Sequence, residues 1–230
     1  MAREAIDGIE QPRSPKGEQT RAAIAEAALR LFRENGYEAT TMRAIAREAG
    51  VATGNAYYYF GSKEELIQEF FARNQADHAH ACRLVLDAET RLARRLAGVL
   101  RALIDTQAPY HEFAAKLYKH AAEPTSPLSP FSKENSPTRD AAIRLYSEVI
   151  EGARGRIPAV LRDRLPEILW LYSLGMVLYW AHDTSPGCAR TYRLIDLTAP
   201  LAERLIRLAS FRLFRPVLRQ LLLVIDEIRH

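Results

Sequence analysis

Within Thr41 to Phe60, TMRAIAREAGVATGNAYYYF, an alanine at 46 is followed four residues later by a glycine at 50. Apolar residues at Ile45, Ala49, Val51 and Ala56 bracket the pair. Two short helices can cross closely only if a small residue sits at the crossing and the turn between them can take a left-handed backbone. Ala46 meets the first need and Gly50 the second, so the spacing predicts a helix-turn-helix over 41–60. Thr40 and Thr41 offer an N-cap for the first of these helices, which ends before Gly50. The second begins near Ala52 and runs to Tyr59. It carries Thr53, Gly54, Asn55, Tyr57, Tyr58 and Tyr59, without charge or long aliphatic chains. A helix so composed fits a DNA major groove, with short side chains near base edges and tyrosine hydroxyls on phosphates. Tyr57 to Phe60 cannot all face one side of a helix, so one or two of the four belong to the core and the others are exposed.

The remainder reads as helix after helix, with no strand of period-two alternation. Residues 1–16, with Gly8, Pro12 and Pro15, suggest a mobile arm. A first helix spans about 17–35, with Ile24, Ala27, Ala28, Leu31 and Phe32 at three- and four-residue intervals and Asn35-Gly36 as its stop. Ser62-Lys63-Glu64-Glu65 is a capping box that opens a long helix to about 81. Amphipathic segments follow over 89–107 and 109–122. Pro124, Pro127, Pro130 and Pro137 then break the chain into a loop. Ser136-Pro137 reads as N-cap and first residue of the next helix, to about Ala153. Two apolar helices, 166–183 and 188–210, precede a basic amphipathic segment from Phe211 to Ile228. The expected fold is all-α. Residues 17–63 form a three-helix head, continued by the connecting helix, and 82–230 form a larger helical body.

Composition excludes several classes. The longest apolar stretch, Ile168 to Ala181, is too short for a bilayer, which needs roughly 20 apolar residues. The first residues lack the apolar core of a secretory signal. Cys82 and Cys188 are too few for a disulfide framework or a zinc site, and a reducing cytoplasm fits. The net charge is +4, yet residues 1–63 hold nine Lys/Arg against eight Asp/Glu, so charge alone does not point to nucleic acid. His78 and His80 point to different faces of a helix and His111, His120 and His182 are isolated, so no metal site is expected. No nucleophile elbow, P-loop, dinucleotide fingerprint or HExxH motif is present, and Asp105, Glu112, His182 and Asp183 have no catalytic partners around them. No catalytic residue, metal or cofactor is expected.

Residues 17 to about 75 resemble the DNA-binding domain of the TetR family of transcriptional regulators. The resemblance rests on AAIAEAALRLFRENGYEATT, the helix-turn-helix and GVATGNAYYYFGSKEEL at fixed offsets. It implies a ligand-responsive regulator, most often a repressor, that binds a palindromic double-stranded DNA operator as a homodimer. Thr41 would then meet a phosphate, with Arg43 nearby. Thr53, Gly54 and Asn55 would lie near base edges, Tyr57, Tyr58 and Tyr59 on backbone or bases, and Lys63 on another phosphate. Simple alternatives stand beside these roles: Thr41 as a helix cap, Arg43 and Lys63 as solvated charges.

Helix 166–183 is apolar nearly all round, which points to a dimer seam formed with 188–210. By resemblance, Phe113, Leu117, Tyr118, Tyr146, Trp170 and Tyr172 lie on helices that surround a ligand cavity, with Tyr110, His111 and His120 supplying polar groups. The effector expected is a mostly apolar, aromatic-bearing small molecule, since few charges stand among these aromatics. Trp170, Tyr172, Tyr179 and Trp180 fit plain core equally well. The rival readings are a helical binder or enzyme whose head no longer grips DNA, and a membrane-surface protein acting through Phe211–His230.

Overall fold

A computed structural model describes residues 15–209 apart from Pro124 and Arg156. The arm expected over 1–16 falls almost wholly outside the described residues, as does the basic segment from Phe211 to Ile228. Among the described residues there are ten α-helices and no strand, as the missing period-two alternation requires. The chain divides into two compact units, one ending at Phe70 and the other beginning at Phe71.

The first unit holds α1 (Pro15–Asn35), α2 (Met42–Glu48), α3 (Thr53–Tyr59) and the opening turns of α4 (Lys63–Ala88). Helix α1 is already formed at Pro15, the first described residue, two residues before the expected start. Its buried face is Ile24, Ala25, Ala27, Ala28 and Phe32. Together with Ile45, Ala46, Ala56, Phe60, Leu66 and Ile67, all at most 2% exposed, this face forms the core of the head.

Helix α4 runs to Ala88, seven residues past the end expected near 81, because nothing in QADHAHACRLVLDA breaks a helix. The second unit continues with α5 (Leu92–Gln107), a 3-10 turn over Ala108–Tyr110, α6 (His111–Ala121), α7 (Ser136–Glu151), α8 (Ala159–Arg162), α9 (Leu165–Ala181) and α10 (Ala189–Leu208). Asn135, rather than Ser136, caps α7, so Pro137 falls one position deeper in the first turn than expected. The core of this unit joins Leu96, Val99, Leu100 and Ile104 of α5 to Tyr146 and Val149 of α7, Trp180 of α9, and Ile195 and Ala199 of α10.

Arg95 organises the centre of this unit. Its buried guanidinium donates to the carbonyls of Leu86 and Glu89 at the end of α4, and to those of Glu148 and Val149 near the end of α7. Helix ends leave carbonyls short of intrahelical partners, and one planar cation donates to three there and to Glu89 just beyond α4, Glu148 O accepting from Gly152 N–H as well.

The proline-broken segment before α7 is a loop, as expected, but an ordered one. The Asn135 amide donates to the Pro127 and Ser129 carbonyls, both at 3.0 Å, and Arg139 Nη1 donates to Pro130 and Ser132.

Candidate nucleic-acid interface and internal cavity

In the head, the α2–α3 turn is closed by backbone bonds. Gly50 takes φ +69°, its N–H donates to Arg47 O at 3.2 Å, and Val51 N–H donates to Ala46 O at 2.9 Å. These are the two bonds of a Schellman C-cap, and the left-handed glycine they need is the one at the expected position. Thr41 caps α2 by accepting from Ala44 N–H at 3.2 Å, and it is exposed, so its hydroxyl can also face a phosphate. Arg43 is exposed one residue into the helix. Ala52 gives α3 no side-chain cap. Short side chains thus leave the N-terminus of α3 uncovered: Thr53, Gly54 and Asn55 are all exposed.

The four aromatics divide as their helical positions demand. Tyr57 is 52% and Tyr58 80% exposed, Tyr59 is half-buried, and Phe60 is 1% exposed. Arg21 covers the Phe60 ring at 4.7 Å and pairs with Glu69 at 2.6 Å. Residues 41, 43, 53–55, 57 and 58 therefore offer side chains to solvent from two consecutive helices, with no carboxylate among them.

Lys63 is engaged. Its ammonium donates to the Tyr37 carbonyl at 2.8 Å and lies 4.4 Å from the Tyr37 ring centre. The Tyr37 hydroxyl donates to Glu64 at 2.6 Å, and burial together with that carboxylate pushes its pKa well above the usual tyrosine range. The capping box at the head of α4 forms in a variant geometry. Ser62 accepts from Glu65 N–H, while Glu65 accepts from Gly61 N–H at 2.8 Å instead of from the cap residue itself.

The second unit contains a cavity of about 600 Å³, within the range of small-molecule sites. Its wall is a set of stripes at helical spacing. Helix α4 contributes Phe71, Asn74, Gln75 and His78; α7, with its cap, contributes Asn135, Thr138, Arg139, Ala142 and Tyr146. Helix α9 adds Trp170, Ser173, Leu174, Val177 and Leu178. Leu103, Gln107 and Tyr118 complete the inner wall, with the loop at 128–131 along one side.

Of the residues expected around a cavity, Tyr118, Tyr146 and Trp170 line this one. Tyr110, His111, Phe113, Leu117, His120 and Tyr172 do not. Phe113 and Leu117 are buried on α6 without lining it. His111 Nε2 bonds the Trp180 carbonyl at 2.8 Å, with the two rings edge to face. The Tyr172 hydroxyl pairs with Thr198.

The sequence reading missed the α4 wall altogether. His78 is 2% exposed. Its Nε2 lies 2.9 Å from Val99 O, which can only accept, so Nε2 carries the proton and Nδ1 is left as an acceptor. Burial lowers its pKa, only partly opposed by that bond. Burial likewise raises the pKa values of Tyr118 and Tyr146. The sequence signal for this wall is the spacing 71, 74/75, 78, which on its own is only one face of a long helix.

On α9 and α10 an apolar surface faces solvent. Leu171, Leu178 and Tyr179 on α9 are 39–55% exposed, and Leu197, Leu201, Leu205 and Leu208 on α10 are 43–63% exposed. The α10 residues form one stripe at steps of four, four and three. No helix among the described residues is long and apolar enough to cross a membrane, and no group of three potential ligands among them is placed to hold a metal.

Residues 24–70 match the family described as "Bacterial regulatory proteins, tetR family", and residues 95–222 match "Tetracyclin repressor-like, C-terminal domain". The chain is 33% identical over 104 residues to the HTH-type transcriptional repressor KstR2 of Mycobacterium tuberculosis, covering 45% of this chain and 51% of that protein. It is 40% identical over 68 residues to the HTH-type transcriptional regulator TtgR of Pseudomonas putida, covering 30% of this chain and 32% of that one. The match thus spans at most about half the length of these curated relatives. Among solved structures, the fatty acid degradation regulator FadR of Bacillus halodurans aligns with a TM-score of 0.63 at 18% identity, over 82% of this chain and 96% of that one. The regulator FadR of Bacillus subtilis, solved in complex with stearoyl-CoA, aligns with a TM-score of 0.60 at 17% identity, over 77% and 96%. These likenesses show a shared all-helical fold.

Proposed function

Because the chain belongs to the TetR family of bacterial regulatory proteins, we propose that it is a ligand-responsive transcriptional repressor of the cytoplasm, with no catalytic activity. A homodimer places α3 of each subunit in successive major grooves of a palindromic operator, about one helical turn apart. The observation that carries this reading is the uncovered start of α3. Thr53, Gly54 and Asn55 stand exposed ahead of Tyr57 and Tyr58 on a helix whose opposite side, Ala56, is fully buried. Thr41, Arg43 and Lys63 supply phosphate contacts, Lys63 with the ammonium protons not given to Tyr37. Tyr59, half-buried, contributes its edge.

The dimer forms through the apolar faces of α9 and α10, which a second copy of this chain covers. An obligate seam of this kind buries on the order of 2,000 Å² or more. The cavity of the second unit takes the effector. Helix α4 links the two roles within one element, since its first turn carries Lys63 and its later turns carry Phe71, Asn74, Gln75 and His78 of the cavity wall. An effector that prefers the form of α4 unsuited to the operator shifts the population away from DNA. A hundredfold release requires about 2.7 kcal/mol of differential affinity.

Duplexes selected from a random pool by the purified protein provide the test. Enrichment of an inverted repeat, bound less tightly as salt rises, is the expected result. Failure to bind any duplex at low salt would leave a helical small-molecule binder instead.

A further inference from the structure

Among the described residues the cavity wall carries a single charged side chain. Among the described residues, Arg139 is the one Lys or Arg in the lining and none is a carboxylate, while burial lowers the pKa of His78 so that it stays neutral. Arg139 gives Nη1 to the Pro130 and Ser132 carbonyls, while its Nε and Nη2 have no partner among the described residues. The guanidinium thus spends one nitrogen on shaping the loop and keeps a donor pair. Such a pair matches the two oxygens of a carboxylate.

Three other lining side chains hold buried polar atoms without a hydrogen-bond partner among the described residues: Gln75 Nε2, His78 Nδ1 and Asn135 Oδ1. His78 and Asn135 are at most 4% exposed. Native interiors rarely leave such atoms unpaired. These side chains place polar groups beside the cavity, with the unpaired atoms themselves covered. Leu103, Leu128, Trp170, Leu174 and Val177 give the wall an apolar stretch.

We propose that the cavity binds an amphipathic monocarboxylic acid, its carboxylate on the Arg139 guanidinium and its apolar body against Trp170, Leu174 and Val177. Arg139 and Tyr146 lie seven residues apart on one helix, so the guest spans roughly 10 Å between them. The proposal rests on reading this cavity as the effector site, and it narrows the expected apolar molecule to one with an anionic head. A cation meets Arg139 with no carboxylate to offset it. A neutral molecule leaves the donor pair unused, and a polyanion brings charges the wall does not match.

The test is calorimetric titration of the full-length protein at pH 7.5 with two matched series. One is 4-phenylbutyrate, 4-phenylbutanol and 4-phenylbutylamine; the other is decanoate, decanol and decylamine. In at least one series the acid binds ~10- to 100-fold tighter than the alcohol, the size of a charge-assisted hydrogen bond, and the amine does not bind. Arg139→Lys keeps this preference for the acid, and Arg139→Gln reduces the acid to the alcohol's level. Should Arg139→Gln fail to fold, the head-group order in the wild type and in Arg139→Lys decides. Equal binding of alcohol and acid, binding of the amine, no binding of either acid at millimolar concentration, or an intact acid preference in Arg139→Gln overturns the proposal. Operator release, measured separately, tells the two readings apart. An alcohol that binds as well as the acid and frees DNA overturns the carboxylate assignment and leaves the effector site standing. An acid that binds at Arg139 and leaves DNA affinity unchanged supports the carboxylate site and removes its role as effector.

Discussion

The Lys63 ammonium donates to the Tyr37 carbonyl at 2.8 Å while standing 4.4 Å from the centre of the same residue's ring. One side chain thereby ties the first turn of α4 to the segment between α1 and α2, and the same cation is proposed to meet a phosphate. Lys63→Ala should therefore produce two separable losses. Chemical denaturation should report about 1 kcal/mol less stability, the scale of a half-exposed cation–π contact with its hydrogen bond. The slope of log affinity against log salt should become shallower by about one unit, equally for every duplex. A lower stability with an unchanged slope would assign Lys63 to the fold alone.

Neighbouring aromatics should behave in opposite ways. Tyr58, 80% exposed, should tolerate alanine within about 0.5 kcal/mol of stability while operator affinity drops. Phe60, 1% exposed beneath Arg21, should lose about 3–5 kcal/mol on the same change. Replacing Asn55 should alter which operators are preferred rather than how tightly all of them bind. Melting curves and competition binding on a small set of duplexes check all three.

Leu201 sits on the exposed α10 stripe and, unlike Leu174 and Leu178, has no part in the cavity wall. Leu201→Glu should shift the protein to monomer in sedimentation at micromolar concentration and abolish operator binding, with the secondary structure retained. A wild-type chain that is already monomeric there would remove the proposed seam.

A methyl group at Gly152 would lie 2.3 Å from Arg95 Nη2. A flexible arginine would ordinarily swing away, but this one is held by four carbonyls of α4 and α7 and the chain just after α4. Gly152→Ala should accordingly cost about 1–3 kcal/mol, as overpacking does. Retention of the wild-type melting temperature would mean that the clamp yields easily.

His78 gives a pH signature. Its folded pKa lies below the ordinary histidine value because burial disfavours the charged ring. The unfolded chain therefore binds the proton first as pH falls. The stability held by the neutral ring is complete above the unfolded value of about 6.5 and declines as pH drops from there toward the folded pKa. Denaturant midpoints between pH 7.5 and 5 should decrease, and His78→Gln should flatten part of that slope. An identical pH profile in the variant would place the titration elsewhere.

Much of the head is legible in the sequence because its constraints are local. Gly50 is needed for a left-handed turn, Ala46 for a close crossing, and short residues at 53–55 for an open helix start. Each of these can be read from a single position. The cavity is not local. Tyr118 and Leu117 are adjacent on α6, yet one lines the void and the other the solid core, and periodicity marks both only as apolar. Phe71, Asn74, Gln75 and His78 read as part of an ordinary long helix until the fold sets them around the same space as Arg139. The sequence reading set charged ligands aside because few charges stand among the aromatics. Arg139 lies on α7 two turns before Tyr146 and enters the wall beside the proline loop.

The account stands on two exposed α3 helices reading DNA together, and selection of duplexes from a random pool, followed by titration at several salt concentrations, tests this most directly. The expected outcome is an enriched inverted repeat with half-site centres about 10 base pairs apart, bound by a dimer, and a preference that changes when Asn55 is replaced. Binding that enriches no sequence, or a preference unaltered by changes at Thr53, Asn55 and Tyr58, would contradict it.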